Sequence, residues 1–166
     1  MKKTVITIAG GAYHWVNDGD NNLFTFAGHT TSLLAADLDR ATGLEVSGGM
    51  RAPRLSLDAE LHRITGRTID SEFTGGLYRG GRTRLIKSSI EAGYMALAPH
   101  LELLGGLEAL DVEAYASVTW RPAAGVSWYV YRHRLKFQFM HREALNDLGV
   151  RRARGHATYA QAQIAF

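Results

Sequence analysis

The sequence predicts an all-β protein whose antiparallel strands close into a barrel. Apolar and polar residues alternate with a period of two, as in strands with one apolar and one polar face. The 166 residues include 18 glycines and three prolines, which suits tight turns and close strand packing better than a helical bundle. Short and long connections also alternate along the chain. Together these observations predict a single domain, 1–166, of about eight to ten strands.

Four segments carry the alternation most clearly, each with apolar residues on one face and mostly polar residues on the other. The apolar positions are Leu55, Leu57, Ala59 and Leu61; Val126, Trp128 and Val130; Leu135, Phe137 and Phe139; and Ala160, Ala162, Ile164 and Phe166. Helical spacing also occurs at 31–41 and 141–149, of which we interpret the second as a loop with one helical turn. The segment 73–81 fits either an extra strand or part of a long loop.

The connections predict a transmembrane-type barrel. Tight turns are expected at 51–54, 98–100 and 131–134, and long connections at 64–87, 110–123 and 143–155. Transmembrane barrels sort their connections in this way, with short periplasmic turns and long outer loops. The chain ends on an alternating strand. This is expected for a barrel, since its last strand can pair with its first. The polar turn at 17–22 does not fit this order when strands are counted back from Phe166, so the predicted strand number stays a range of about eight to ten. The chain is expected to form a small closed barrel of its own or part of a larger barrel.

Composition excludes several classes of protein. The chain has no cysteine, so disulfides, thiol catalysis and cysteine-based zinc sites are excluded, and a net charge of +3 gives no argument for nucleic acid. The chain contains no run of about 18 apolar residues, so no membrane-spanning helix is predicted. The N-terminal apolar stretch is short and glycine-rich, so it is a poor signal peptide. The seven histidines lack metal-ligand spacing, and no metal, cofactor or catalytic residue is predicted.

Strand parity predicts which side chains face the barrel interior and which lie at the membrane interface. An aromatic girdle is expected at the interface from Trp128, Tyr129, Tyr131 and Phe166. Carboxylates dominate the predicted interior set, which therefore does not resemble an anion filter. The predicted pore-lining residues are Glu45, Asp58, Glu60, Glu91, Glu102, Glu108, Lys136, Gln138, Arg142, Gln161 and Gln163.

Four segments in order, 43–63, 93–111, 125–143 and 159–166, carry a family likeness. They read "GLEVSGGMRAPRLSLDAELHR", "GYMALAPHLELLGGLEALD", "GVSWYVYRHRLKFQFMHRE" and "YAQAQIAF". Over this part the chain resembles the phosphate-selective porin O and P family of outer-membrane barrels. The resemblance implies a bacterial outer-membrane location and porin-like diffusion. It covers only the C-terminal two-thirds of the chain, and the basic ladder behind phosphate selectivity is not found, so phosphate binding is not implied.

Arginines concentrate in the predicted long connections. They are either solvated loop charges or ligands for lipopolysaccharide phosphates, which guanidinium groups bind through two hydrogen bonds. The glycine- and arginine-rich segment 75–84 lacks the ending and the context of a phosphate loop. The predicted lipopolysaccharide-facing residues are Arg79, Arg82, Arg84, Arg151, Arg152 and Arg154.

Three functions remain open at this stage, none of them enzymatic. The first is a porin-like barrel in the bacterial outer membrane that allows passive diffusion of small polar solutes or ions. The second is a small closed structural or adhesion barrel, and the third is a soluble ligand-binding barrel with its apolar face inward. About eight strands leave an interior filled by side chains and about sixteen leave a channel, so conduction requires additional strands or a homo-oligomer. The predicted partners are outer-membrane lipid, lipopolysaccharide and small polar solutes, without nucleic acid.

Overall fold

The computed structural model describes residues 3–16, 38–69, 71–72, 78–131, 135–147 and 150–164. In this part of the chain, eight antiparallel strands form one sheet, and each strand pairs with the next along the sequence. The predicted all-β antiparallel fold is confirmed, at the lower end of the predicted strand count. The strands are β1 (Val5–Val16), β2 (Leu38–Arg51), β3 (Leu55–Thr68), β4 (Arg82–Leu97), β5 (Leu101–Val112), β6 (Thr119–Tyr131), β7 (Leu135–Leu145) and β8 (Arg154–Ile164).

The predicted sorting of connections is confirmed. At one end of the sheet, which we call the turn end, only three residues of sequence separate β2 from β3, β4 from β5 and β6 from β7. At the opposite end, which we call the loop end, the strands are separated by the longer stretches of sequence 17–37, 69–81, 113–118 and 146–153. An up-and-down meander places alternate connections at opposite ends, so the length difference gives the sheet two distinct rims.

Several predicted boundaries are wrong because the strands run further than their clearest alternation. Strand β3 continues to Thr68 and β4 begins at Arg82, which shortens the predicted connection 64–87. The predicted loop at 141–149 begins as strand, since β7 extends to Leu145. Residues 38–41 of the helical candidate 31–41 belong to β2, and the remainder lies outside the described residues, as does the polar turn 17–22.

The segment 73–81 contributes no strand where it is described. Arg79 forms an isolated bridge with Arg82, and Gly80 and Gly81 take positive φ angles of 59° and 69°. Glycine adopts this left-handed conformation without steric cost. The carbonyl of Gly81 accepts hydrogen bonds from the backbone nitrogen and the hydroxyl of Thr68, at 2.8 and 3.0 Å. A tight turn therefore leads into β4.

Asn146 ties two of the loop-end connections together. It has a positive φ of 54°, which asparagine tolerates better than most residues. Its side chain donates to the carbonyl of Val118 at 3.2 Å and accepts from the backbone nitrogen of Arg152 at 3.0 Å. The hydroxyl of Thr119 donates to the Asn146 carbonyl at 2.8 Å. The β5–β6 and β7–β8 connections thus hold each other in place.

The predicted closure of the barrel is not seen in the described part of the chain. The strand order runs from β1 to β8 without a ladder between these two, so each is an edge strand. Alternation along a strand specifies its two faces but says nothing about which edge meets which. Closure depends on the pair of strands most distant in sequence, for which no local pattern exists.

Glycine at position 125 makes room for the approach of β6 and β7. A side-chain carbon added there would collide with the backbone carbonyl of Phe139 on the neighbouring strand, whereas one added at Gly105 meets nothing within 4 Å. We expect Gly125→Ala to lower the free energy of unfolding by about 1–3 kcal/mol, the usual cost of overpacking. Urea titration followed by tryptophan fluorescence measures the change. Gly105→Ala is the control and should be neutral or mildly stabilising, because alanine restricts the unfolded chain. Equal effects at the two positions would contradict this account.

Candidate functional site

The polar face of the sheet gathers most of the charged strand residues. Paired residues on antiparallel strands point to the same side, so the register assigns each residue to a face. One row of partners runs through Asp58, Glu91 and Arg142, and the next through Glu60, Glu108 and Arg121. The register places all the predicted pore-lining residues on this one face: Glu45, Asp58, Glu60, Glu91, Glu102, Glu108, Lys136, Gln138, Arg142, Gln161 and Gln163.

The sheet curls around this polar face. One cavity of about 350 Å³ is lined by residues of β3 to β7, including Asp58 at one side and Arg142 at the other. A second, of about 490 Å³, lies towards the turn end between Arg51 and Gln138. Strands that are four positions apart in the sheet line the same space, which requires a concave surface. The polar side chains therefore line a shared concave volume that is open on one side.

Charge on the polar face is divided between two groups of strands. The predicted acidic residues lie on β2 to β5, whereas the described strand residues on the polar face of β6, β7 and β8 include cations and no carboxylate. The cations there are Arg121, Lys136 and Arg142. The concave surface therefore has an acidic wall opposite a basic one.

Sequence reasoning missed three cations of this face: Arg51, Lys87 and Arg121. It had placed all three in connections, but Arg51 ends β2, Lys87 lies within β4 and Arg121 within β6. With the correct strand ends, counting in steps of two from Glu45, Glu91 or Ser127 would have found them. Five cations against six carboxylates make the face mixed in charge rather than strongly acidic.

Glu108 organises the middle of the polar face. Its carboxylate accepts a hydrogen bond from Arg121 at 2.8 Å and lies 3.5 Å from the Lys87 ammonium. Its side chain is only 15% exposed, so the ion pairs are partly shielded from water. A single carboxylate from β5 thus holds cations from β4 and β6. Glu91, which lines the same cavity, has no cation within 4 Å among the described residues.

Two further contacts order the turn end of the polar face. Arg51 donates from Nη2 to both carboxylate oxygens of Asp58, each at 2.9 Å. The Tyr129 hydroxyl donates to Glu102 at 2.7 Å, and the Lys136 ammonium lies 5.9 Å from the centre of the Tyr129 ring. These contacts fix the charged side chains beside the second cavity without filling it.

The opposite face is apolar and exposed. Ile8 is 81% exposed, Phe137 49% and Phe139 52%, although all three belong to regular strands. Trp120 and Trp128 stand on this face at the two ends of β6 and are 42% and 45% exposed. The apolar surface is thus flanked by a tryptophan at either end.

The predicted girdle is only partly placed on this apolar face. Trp128 lies there, but Tyr129 does not, because adjacent residues of a strand point to opposite sides and its hydroxyl bonds to Glu102 on the polar face. The side chain of Tyr131 and the terminal Phe166 lie outside the described residues. Trp120, which the sequence reasoning placed in a loop, takes the equivalent position at the loop end.

The six arginines predicted to face lipopolysaccharide all lie at the loop end. Arg79, Arg151 and Arg152 are in connections, as predicted. Arg82 and Arg84 instead open β4, and Arg154 opens β8. Because Arg82, Arg84 and Arg154 belong to strands, the register fixes the face of the sheet to which each side chain points.

Comparisons with protein-family models, with curated proteins and with solved structures give no match to this chain. Within the described residues, no helix has the length and apolar character needed to cross a bilayer. The same part of the chain contains no group of three or more histidine, aspartate or glutamate side chains arranged to hold a metal ion.

The double ion pair at Glu108 is expected to be a measurable source of stability. Glu108→Gln leaves two neighbouring cations without their carboxylate, and we expect a loss of about 1–3 kcal/mol in the free energy of unfolding. Glu91→Gln is the matched control on the adjacent strand and should cost less. In the double variant Glu108→Gln/Arg121→Gln the loss should be smaller than the sum of the two single losses, because the residues are coupled. Additive losses would show that the contact contributes nothing.

Proposed function

We propose that the sheet is the wall of an outer-membrane β-barrel of porin type, which admits small polar solutes or ions by passive diffusion. The observation that supports it most strongly is the sorting of the two faces. Large apolar side chains point outward and are exposed, while most of the charged strand residues line a concave surface with cavities. Transmembrane barrels have this arrangement, with lipid outside and water or polar side chains inside.

The same sorting argues against a soluble ligand-binding barrel. Such a protein buries its apolar residues, yet Val112 is the only buried hydrophobic residue in the described part of the chain. Exposed apolar patches larger than a few hundred Å² are rare on soluble monomers. Here the exposed apolar residues extend over all eight strands, from Ile6 and Ile8 on β1 to Ile164 on β8. Acyl chains are the natural environment for such a surface.

The dimensions of the apolar face fit a bilayer. Trp120 and Trp128 are eight residues apart on β6, which corresponds to about 26 Å along a strand. At a strand tilt of about 40° this separation covers about 20 Å of the membrane normal, close to the apolar band of about 25 Å in known barrels. Tryptophan prefers the interface between hydrocarbon and water. Each of the two residues would lie at one boundary.

The open edges of β1 and β8 affect how wide a water-filled lumen the barrel could have. Unpaired backbone groups are not tolerated in hydrocarbon, so β1 and β8 require partners in a membrane. Eight strands closed on themselves leave little free interior, while additional strands or further copies of this chain leave a wider lumen. The resemblance to the porin O and P family supports the larger assembly. The acidic wall on β2 to β5 gives no support for phosphate selectivity.

A closed structural barrel is the second candidate, favoured by one observation. The side chains of Lys87, Glu108 and Arg121 form ion pairs across three strands on the concave face. If β1 paired with β8, this cluster would lie in the narrow interior as a polar plug. Such a barrel would insert into membranes but would not conduct.

The orientation of the two faces is tested most directly by labelling. The chain has no cysteine, so single cysteines at adjacent positions 137 and 138 provide matched probes. In liposomes we expect a lipid-phase thiol reagent to modify Phe137→Cys and to leave Gln138→Cys unmodified, because neighbouring strand residues face opposite sides. Positions 57 and 164 should behave like 137, and position 163 like 138. Absence of labelling at 57, 137 and 164 would refute the membrane orientation.

Arginine scanning gives the same test in energetic form. Phe137→Arg should lower the free energy of unfolding in bilayers by about 2–4 kcal/mol, the cost of a charge at the lipid face near mid-membrane. Gln138→Arg should be tolerated, since its side chain joins other polar groups. The measurement is urea unfolding from lipid vesicles. A similar loss at both positions would contradict the proposed sidedness.

Conduction separates the porin from the structural barrel. In planar bilayers with a salt gradient, we expect discrete conductance steps. Removal of the unpaired charge by Glu91→Gln should shift the reversal potential towards anion permeation. The control, Asp111→Asn, removes the same charge from the outward face of the adjacent strand and should have no effect. A chain that labels correctly at 137 but shows no conductance would favour the structural barrel.

A further inference from the structure

Five arginines form an outward cluster at the loop end of three neighbouring strands. On β3 the outward residues change from Leu57, Ala59 and Leu61 to Arg63, Thr65 and Arg67. Adjacent strands show the same change from apolar to basic. The outward arginine cluster consists of Arg40 on β2, Arg63 and Arg67 on β3, and Arg82 and Arg84 on β4.

Three members of the outward arginine cluster are aligned by the register. Arg40 pairs with Arg67, and Arg67 pairs with Arg82. Residues directly opposite on antiparallel strands have side chains about 5 Å apart, and like charges there are destabilising. Three arginine side chains thus start from one row across the sheet, which spans about 10 Å, or two strand spacings. Such repulsion is relieved when an anion binds.

Nearby carboxylates neutralise only the two outer members of the row. Asp39 bonds to Arg40 at 2.9 Å, and Glu113 lies 3.8 Å from Arg82, whose side chain is 63% exposed. Arg67, the middle member, is exposed and has no carboxylate within 4 Å in the described ranges. Asp111 faces outward as well but is paired in register with Ile86, outside the row. Positive charge therefore remains at the centre.

The position of the cluster identifies the anion. Arg63 is in register with Leu44 and Ile86, so the cluster is continuous with the exposed apolar face rather than with the concave polar surface. A ligand there must approach from the membrane side. We propose that the outward arginine cluster binds the phosphate groups of lipopolysaccharide in the outer leaflet, an inference that rests on the proposed membrane function.

The chemistry suits a headgroup with more than one phosphate. Each guanidinium group offers a planar pair of donors that matches two phosphate oxygens. A row of three such groups can engage two phosphates while the acyl chains of the same lipid lie against Leu44, Leu61 and Ile86. A free phosphate would gain the charge contacts but not the apolar ones. The lipid is therefore expected to bind more tightly than inorganic phosphate.

The test compares two triple variants with equal loss of charge. Arg40→Gln/Arg67→Gln/Arg82→Gln removes the row, and Arg54→Gln/Arg132→Gln/Arg134→Gln is the control, whose three arginines belong to the short connections 52–54 and 132–134. Each is folded in zwitterionic detergent and titrated with fluorescent lipopolysaccharide. We expect the row variant to bind at least tenfold more weakly than the parent, and the control to bind within about threefold. Parental binding by the row variant, or an equal loss in both variants, would overturn the assignment.

Two further measurements keep the outcome unambiguous. Removing the row relieves repulsion, so in detergent without lipopolysaccharide the row variant should be at least as stable as the parent. With lipopolysaccharide present, the order should reverse. The absence of a reversal would overturn the proposal even if binding falls. The second measurement is displacement of the fluorescent lipopolysaccharide by competitors. If inorganic phosphate displaces it effectively while dephosphorylated lipopolysaccharide does not, the cluster is a simple anion site and the lipid assignment is overturned.

Labelling at position 137 separates failure of this inference from failure of the proposed function. Lipid-phase labelling of Phe137→Cys, with a row variant that binds lipopolysaccharide normally, would refute the arginine site and leave the membrane function intact. Absence of labelling in Phe137→Cys would refute both. Lipid-phase labelling of Phe137→Cys together with selective loss of binding in the row variant would support both.

Discussion

The alternation of side chains along strands in continuous register is the constraint on which the rest of the structure depends. Each paired residue shares a face with its partner, so one row carries the same sidedness through Asp58, Glu91 and Arg142 to β7. A slip of one residue at any pairing would exchange the faces of every later strand. The acidic wall, the basic wall and the exposed apolar surface all follow from seven consistent registers.

Register also decides what a basic residue does. Arg82 and Lys87 lie on the same strand, β4, but differ in parity. Lys87 turns to the concave face and reaches Glu108, whereas Arg82 turns outward and stands in line with Arg67. One side chain is part of an ion pair that links strands, and the other adds to an excess of positive charge. Composition alone, which counts both as cations, cannot distinguish these roles.

The sheet has two edge strands, β1 and β8. Each has one backbone edge without a ladder partner in the described part of the chain, and natural sheets usually protect or pair such edges. Their outward residues are apolar like those of the interior strands, as Ile8 and Ile164 show. An edge with no charged outward side chains near its middle is suited to pairing with another strand, which agrees with a membrane barrel assembled from these or additional strands.

The sequence by itself determined the all-β class, the two faces of the main strands and the three tight turns, because a period of two and turn composition are local properties. It therefore placed Glu45, Gln138 and Gln163 on one side correctly. Tertiary structure decided what depends on strand ends and on contacts between strands. Lys87 and Arg121 joined the polar face because β4 and β6 extend beyond their clearest alternation. The row of Arg40, Arg67 and Arg82 exists only through registers that join residues far apart in the chain, and no local pattern specifies such pairings.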